Sequence, residues 1–269
     1  MLNSIQDKLL QMLKWFHNYC VENKITYYVA GGTMIGAARH KGFIPWDDDI
    51  DVVVPREDYN KLIEQFNTPI DGYLLESPYS GNNDFLYSYA KLYDTQTTLV
   101  EKTKIPCKRG VYIDVFPLDG IGNTIEEAQK NFSIFDKKNM FLMMRTCVIR
   151  KERSWYKNLS IIIARLIPNC IVNDKKLSIE VDRTASEISF DDSVYVANLM
   201  GTYRSKEITK REYFGAPTLY QFEDIYIWGP EKYDEYLTNI YRNWRELPPE
   251  EKRKTAHDFV ILDLEKPYK

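Results

Sequence analysis

Residues 47–54 read Asp-Asp-Asp-Ile-Asp-Val-Val-Val, four aspartates within five positions running into a β-branched apolar stretch. The valines call for a strand, because branched side chains fit a pleated sheet better than a helix. A strand sends alternate side chains to opposite faces, so Asp49 and Asp51 leave it on the same one. Two carboxylates there repel each other unless something positive lies against them. A divalent cation answers that need, since hard cations prefer carboxylate oxygens. Asp47 and Asp48 precede the strand and read as the turn that feeds it.

The stretch just before supports the same chemistry. Residues 25–30 form a short apolar strand ending at Gly31-Gly32, and Thr33–Arg39 begins a helix directly after the glycines. Glycines let backbone amides come close to a phosphate, and a helix N-terminus favours an anion. Gly31, Gly32 and Thr33 with Asp49 and Asp51 therefore describe a phosphate-and-metal site; the bland alternative is a tight bend beside a solvated turn. Two metal ions about 3.5–4 Å apart can stabilise both oxygens of an in-line phosphoryl displacement. Asp114, inside the apolar strand Val111–Phe116, repeats the pattern in a single copy. It is a third carboxylate, either ligand or general base, or else a buried structural acid. Asp119 beyond it reads as a turn residue, with Pro117 stopping the strand.

Arg39, His40, Lys91 and Arg109 lie near these acids in sequence or on adjoining strands and are candidates to neutralise a diphosphate. His257 is open between a phosphate ligand and the cap of a last helix.

The remainder frames an α+β protein. Leu2, Ile5, Leu9, Leu10, Leu13, Phe16 and Cys20 recur at helical spacing over 2–22. Arg56–Phe66 makes a helix after Pro55, Phe85–Tyr93 alternates like a strand, and 97–101 does so more weakly. Thr124 caps a largely helical region reaching about Glu187. Strands are expected at Val194–Met200 and Phe222–Trp228, a helix after Gly229-Pro230, and a final helix from Pro248-Pro249. The expected organisation is one domain over 1–269. A core at about 1–120 is followed by a helical insertion at about 121–190, then returning strands and C-terminal helices at about 191–269.

With 44% hydrophobic residues, 28% charged residues and a net charge of -3, the chain is a globular protein and not a nucleic-acid binder. Four scattered cysteines read as reduced, buried thiols of a cytosolic protein. The N-terminus lacks a signal-peptide pattern, and Leu159–Val172 is too short to span a bilayer. Asn139–Val172, with its Met, Ile, Arg and Lys and with Trp155, is open to peripheral membrane contact, with ordinary helix packing the preferred reading.

The string GGTMIGAARHKGFIPWDDDIDVVVPREDY (residues 31–59) resembles the signature of the LicD family, phosphotransferases that decorate bacterial surface glycans. KLYDTQTT, GVYIDVFPLDG and the C-terminal YDEYL, LPPEEKR and His257 follow in order, so the resemblance covers nearly the whole chain and is thinnest over about 125–190. It implies a nucleotidyltransferase-like mixed sheet flanked by helices. It also implies a phosphate turn at Gly31 and Gly32, metal at Asp49 and Asp51, and Asp114 as third acid. The spacing from Gly32 to Asp49 is longer than the generic superfamily pattern, which points to the loop 40–48, with Trp46, as a source of specificity. The implied reaction uses Mg²⁺ or Mn²⁺, two ions, and moves phosphocholine from CDP-choline to a glycan hydroxyl, releasing CMP. The acceptor is expected to be a teichoic acid, lipopolysaccharide or capsule precursor, lipid-linked where the enzyme works at the inner membrane face. Trp46, Tyr93, Tyr112, Trp228 and Trp244 are candidates to cage the quaternary ammonium. The alternatives are a nucleotidyltransferase releasing pyrophosphate, a different CDP-linked phospho-alcohol, and a non-catalytic glycan- or nucleotide-binding module.

Overall fold

The computed structural model describes residues 2–102, 108–151, 153–255 and 259–268. The chain opens with α1 (Ser4–Glu22), whose start is fixed by a capping box: Asn3 Oδ1 accepts from the Gln6 amide, and Gln6 Oε1 accepts from the Asn3 amide. Next come β1 (Tyr28–Val29), α2 (Gly31–His40), β2 (Asp51–Pro55) and α3 (Arg56–Gln65). The chain then runs through β3 (Tyr73–Glu76), β4 (Ala90–Asp94), β5 (Thr98–Glu101), β6 (Lys108–Arg109) and the long β7 (Tyr112–Gly122). Helices α4 (Ile125–Thr146), α5 (Trp155–Leu166) and α6 (Asp174–Ala185) follow. The return is made by β8 (Tyr195–Ala197), β9 (Thr209–Lys210), β10 (Thr218–Phe222), β11 (Ile225–Gly229), α7 (Tyr233–Tyr241) and β12 (Phe259–Asp263).

The main sheet is mixed and runs β1-β2-β7-β4-β3, with β8 and β9 continuing from the far end of β7. Among the described residues, only the β2–β7 pair is parallel. This is the expected α+β class. Leu9, Met12, Leu13, Phe16 and Cys20 of α1 are all but fully buried in the main core, with Val52, Val53 and Val54 of β2 and Ile113 and Val115 of β7. A second, smaller core joins α4 and α6 through Phe132, Phe135, Leu142, Leu177 and Val181.

Several expectations need correction. Pro117 does not stop its strand; β7 passes through it to Gly122. The Asp114 amide donates to Ile50 O on the β2 side, so odd-numbered residues of β7 turn toward β4 and β8. On that side the β4 pairing ends at Val115 and the β8 pairing begins at Asp119. Pro117 falls in the gap, where an amide hydrogen has no ladder partner to lose. Asp119 is no turn residue. It is fully buried in β7 and receives Arg56 Nε at 2.6 Å and Arg56 Nη2 at 2.8 Å, while Arg56 Nη1 reaches Asp182 at 2.9 Å.

Residues 85–89 are not a strand; only Ala90–Asp94 pairs. The segment expected as one strand at 222–228 is a hairpin turning at Glu223-Asp224. Among the described residues after Pro249 come one short 3-10 turn, Glu250–Lys252, and β12, which pairs with β5. The cysteines are not uniformly buried: Cys20 is, Cys147 is half-buried, Cys170 is exposed, and Cys107 lies outside the described residues.

Candidate active site

Strand register assembles the site. The parallel β2–β7 pairing sets Asp51 opposite Asp114, and the antiparallel β4–β7 pairing sets Lys91 opposite Asp114. Three residues more than twenty positions apart thus stand in one row across three strands. Lys91 Nζ meets Asp114 Oδ1 at 2.7 Å.

The β1–α2 turn closes over the row. Gly31 has φ +54°, a left-handed conformation that suits glycine. A Cβ there would lie 3.2 Å from Asp51 Oδ2 and 3.4 Å from the Tyr241 hydroxyl. At Gly32 a Cβ would come within 2.8 Å of Asp47 Oδ2. The turn is tied down twice: the Asp51 amide donates to Thr33 Oγ1 at 2.9 Å, and the Ala30 amide donates to Asp51 O at 3.0 Å. Gln6 Nε2 donates to Asp47 O at 2.8 Å, so α1 holds the acidic loop in place.

A cavity of about 290 Å³ lies here, lined by Asp49, Asp51, Asp114, Lys91, Glu207 and a set of tyrosines. Burial pushes the Asp51 carboxyl well above the usual range, and Asp49, Asp114 and Asp47 add to it while Lys91 opposes. Burial also raises Asp114, against the pull of the Lys91 ammonium. Burial pushes Glu207 up to about 7, against a hydrogen bond from the Tyr203 backbone. The donor set is all oxygen and mutually repelling, which suits a hard divalent cation at Asp49 and Asp51. Asp114 fits less directly, because the Lys91 ammonium takes one of its oxygens. Among the described residues no three His, Cys, Asp or Glu side chains stand close enough together to grip an ion as they are.

Lys91 carries its own aromatic surround. Its Nζ lies 3.5 Å from the Tyr112 ring centroid, 4.5 Å from Tyr87 and 5.7 Å from Tyr89. The hydroxyls of Tyr87 and Tyr112 both donate to the Glu101 carboxylate. Tyr87 and Tyr89 were not among the expected site residues. The alternation of Tyr87, Tyr89 and Lys91 in the sequence does not account for them, because residues 85–89 are not a strand and the tertiary fold brings these rings to Lys91.

Other candidates lie elsewhere. Arg39 donates to Trp244 O at 3.0 Å and Glu246 O at 3.2 Å, and its Nε contacts His40 Nε2 at 3.0 Å, so the pair ties α2 to the segment after α7. Burial, with Arg39 beside it, lowers the His40 pKa. Arg109 is committed to Glu76 at 2.6 Å and Asp84 at 2.7 Å. It lines a neighbouring cavity of about 370 Å³, which shares Tyr87, Tyr89, Tyr112 and Glu101 with the acid cavity. Trp46 is half-buried with Arg253 at 5.7 Å from its ring. Trp228 packs on Tyr27 and His17, the Trp244 indole donates to Asp234, and buried Tyr93 packs edge-on against Tyr112. Of the expected aromatics only Tyr112 reaches the acid cavity. His257 lies outside the described residues. A larger cleft of about 740 Å³, lined by Arg56, Asn60, Tyr79 and Asp182, contains none of the expected site residues.

Residues 24–155 match the family model described as LicD/FKTN/FKRP, nucleotidyltransferase domain. Over 255 residues the chain is 29% identical to the lipopolysaccharide cholinephosphotransferase LicD of Haemophilus influenzae, covering 92% of each chain. It is 44% identical over 61 residues to an uncharacterized protein of Rickettsia prowazekii, covering 22% of this chain and 23% of that one. It is 25% identical over 115 residues to mannosyltransferase regulator 4 of Saccharomyces cerevisiae, covering 41% of this chain and 10% of the other.

Proposed function

This chain belongs to the LicD family, and we propose that it transfers phosphocholine from CDP-choline to a sugar hydroxyl of a bacterial cell-surface glycan, releasing CMP. The observation that carries this reading is the row Asp51–Asp114–Lys91 beneath the Gly31–Gly32 turn, inside one cavity with Asp49. The likeness to a protein named as a lipopolysaccharide cholinephosphotransferase supports the group transferred.

Asp49 and Asp51 would hold Mg²⁺ or Mn²⁺, which supplies charge neutralisation for the diphosphate. The amides at the start of α2 face the same phosphates. The attacking hydroxyl forms a new P–O bond at the choline-bearing phosphorus while the bridging P–O bond breaks and CMP departs. Asp114 takes the hydroxyl proton, and Lys91 beside it stabilises the carboxylate form. Tyr87, Tyr89 and Tyr112, which line both this cavity and its neighbour, offer the quaternary ammonium aromatic surface beyond the part that Lys91 covers. The acceptor enters from the adjoining cavity, and a lipid-linked acceptor places the work at the inner face of the membrane. Among the described residues no helix is long and apolar enough to cross a membrane.

A second reading follows from the family model's own wording, a nucleotidyltransferase domain: attack on the α-phosphorus of a nucleoside triphosphate with release of pyrophosphate. Incubation with Mg²⁺ and a panel of CDP-linked alcohols, with and without glycan, separates the two. CMP from CDP-choline is the expected product. CMP from another CDP-alcohol alone would change the group transferred, and pyrophosphate from a nucleoside triphosphate would overturn the reading.

A further inference from the structure

Helix α5 turns its apolar stripe away from the protein. Trp155, Leu159, Ile162, Ile163 and Leu166 are exposed at 76, 44, 43, 56 and 74%, whereas Ile161 and Ala164 on the opposite side are buried. At 3.6 residues per turn, Trp155, Leu159, Ile162 and Leu166 fall along one line of the helix. Ile149 and Ile171, in the flanking segments, are exposed as well. A soluble surface scatters its large apolar side chains, and a contiguous patch marks an interaction site. Ordinary helix packing, the reading preferred from sequence, does not hold for this face.

The charge around the stripe narrows the partner. Residues 146–173 carry Arg150, Lys151, Arg153, Lys157 and Arg165 against one acid, Glu152, in a chain whose net charge is -3. Arg150, Lys151 and Lys157 are exposed. We propose that α5 and its flanks dock on an anionic lipid bilayer, with the helix lying in the interfacial plane and its stripe entering the headgroup boundary. Twelve residues are far too few to cross a bilayer but suit a helix lying on one. An indole at the polar–apolar boundary and basic side chains reaching anionic headgroups complete the complementarity. A second copy of the chain is a poorer occupant, because a two-fold contact through this face would set each basic rim against itself.

The position gives the docking a consequence. Cys147, Val148, Arg150 and Arg153, in the segment leading into α5, line the cavity that adjoins the acids. A bilayer under α5 brings that cavity to the headgroup level, which rests on the proposed reading in so far as the acceptor is lipid-borne.

Co-sedimentation tests this without using catalysis. The full chain is mixed with vesicles of phosphatidylcholine alone or of phosphatidylcholine with phosphatidylglycerol. Selective pelleting with the anionic vesicles, released by high salt, is expected. Leu159→Asp with Ile163→Asp should weaken it about tenfold or more, and Lys151→Glu with Lys157→Glu should remove the lipid selectivity. Both variants should keep the wild-type circular dichroism and the wild-type CMP release with a soluble acceptor. Equal pelleting with both vesicle types, pelleting unaffected by either variant, or no pelleting overturns the proposal. So does a solution dimer by light scattering that Leu159→Asp with Ile163→Asp converts to monomer. Vesicle binding without CMP release would leave the docking intact and count against the proposed reaction alone.

Discussion

Lys91 Nζ stands 2.7 Å from Asp114 Oδ1 across the β4–β7 ladder, with the two side chains only 3% and 12% exposed. The pair is a charge bridge inside a nest of tyrosines. Lys91→Met strips the counter-charge from a buried carboxylate, and breaking a buried pair costs about 3–5 kcal/mol. The sign with pH follows from Asp114: without Lys91 its pKa rises further, so protonation relieves the variant in acid. Urea unfolding should show the deficit growing as pH rises. A variant as stable as wild type at pH 8 would show that the bridge contributes nothing.

Asp51 is a residue whose charge costs stability where it stands. Burial and three neighbouring aspartates push its pKa upward. Asp51→Asn should therefore unfold at the same or a higher temperature than wild type at neutral pH. CMP release should fall about a hundredfold to a thousandfold, the scale of losing one group from a preorganised site. Thermal melts and CMP release by chromatography read the two effects. A large stability loss with activity retained would assign Asp51 to the fold alone.

Gly31→Ala meets two obstacles: a left-handed φ of +54° and Asp51 Oδ2 at 3.2 Å from the new Cβ. The conformational term alone is about 1–2 kcal/mol. The contact moves Asp51 as well, so activity should fall further than stability explains. Comparing denaturant midpoints with KM for CDP-choline separates the terms.

Glu207 gives the pH signature. Its ordinary pKa is 4.5, and burial lifts it to about 7 in the folded chain. For an acid raised on folding, the native state holds the proton more tightly. The favourable contribution is therefore complete below pH 4.5 and lost as pH rises through about 7. Glu207→Gln should match wild type in acid and be the more stable protein above neutrality, by at most about 3 kcal/mol. Equal urea midpoints for the two proteins at pH 8 would refute this.

Arg56 and Asp119 show why sequence reading reached some residues and not others. Each looked ordinary in its local context, a helix-start arginine and a loop aspartate. Folding buries both as a bidentate pair, and Asp182, 126 positions from Arg56, accepts from the remaining guanidinium nitrogen. Arg109 and Arg39 erred in the opposite direction. They are near the acids in sequence, but competing carboxylates and carbonyls claim them. Local pattern does not say which partner a long cationic side chain will find.

By itself the sequence determined the elements whose cause is local. The capped α1, the glycine turn into α2, the valine strand carrying Asp51 and the Thr124-capped α4 all follow from periodicity, capping and backbone restriction. It also singled out Gly31, Asp49, Asp51 and Asp114 as candidates, and the fold brings these four to one cavity. Tertiary structure alone decided the parallel register that sets Asp51 opposite Asp114 and the tyrosines that surround Lys91. It also decided the passage of β7 through Pro117 and the outward stripe of α5. The reason is physical: strand pairing and the burial of a helix face are set by distant segments, and no short stretch of chain encodes its neighbours.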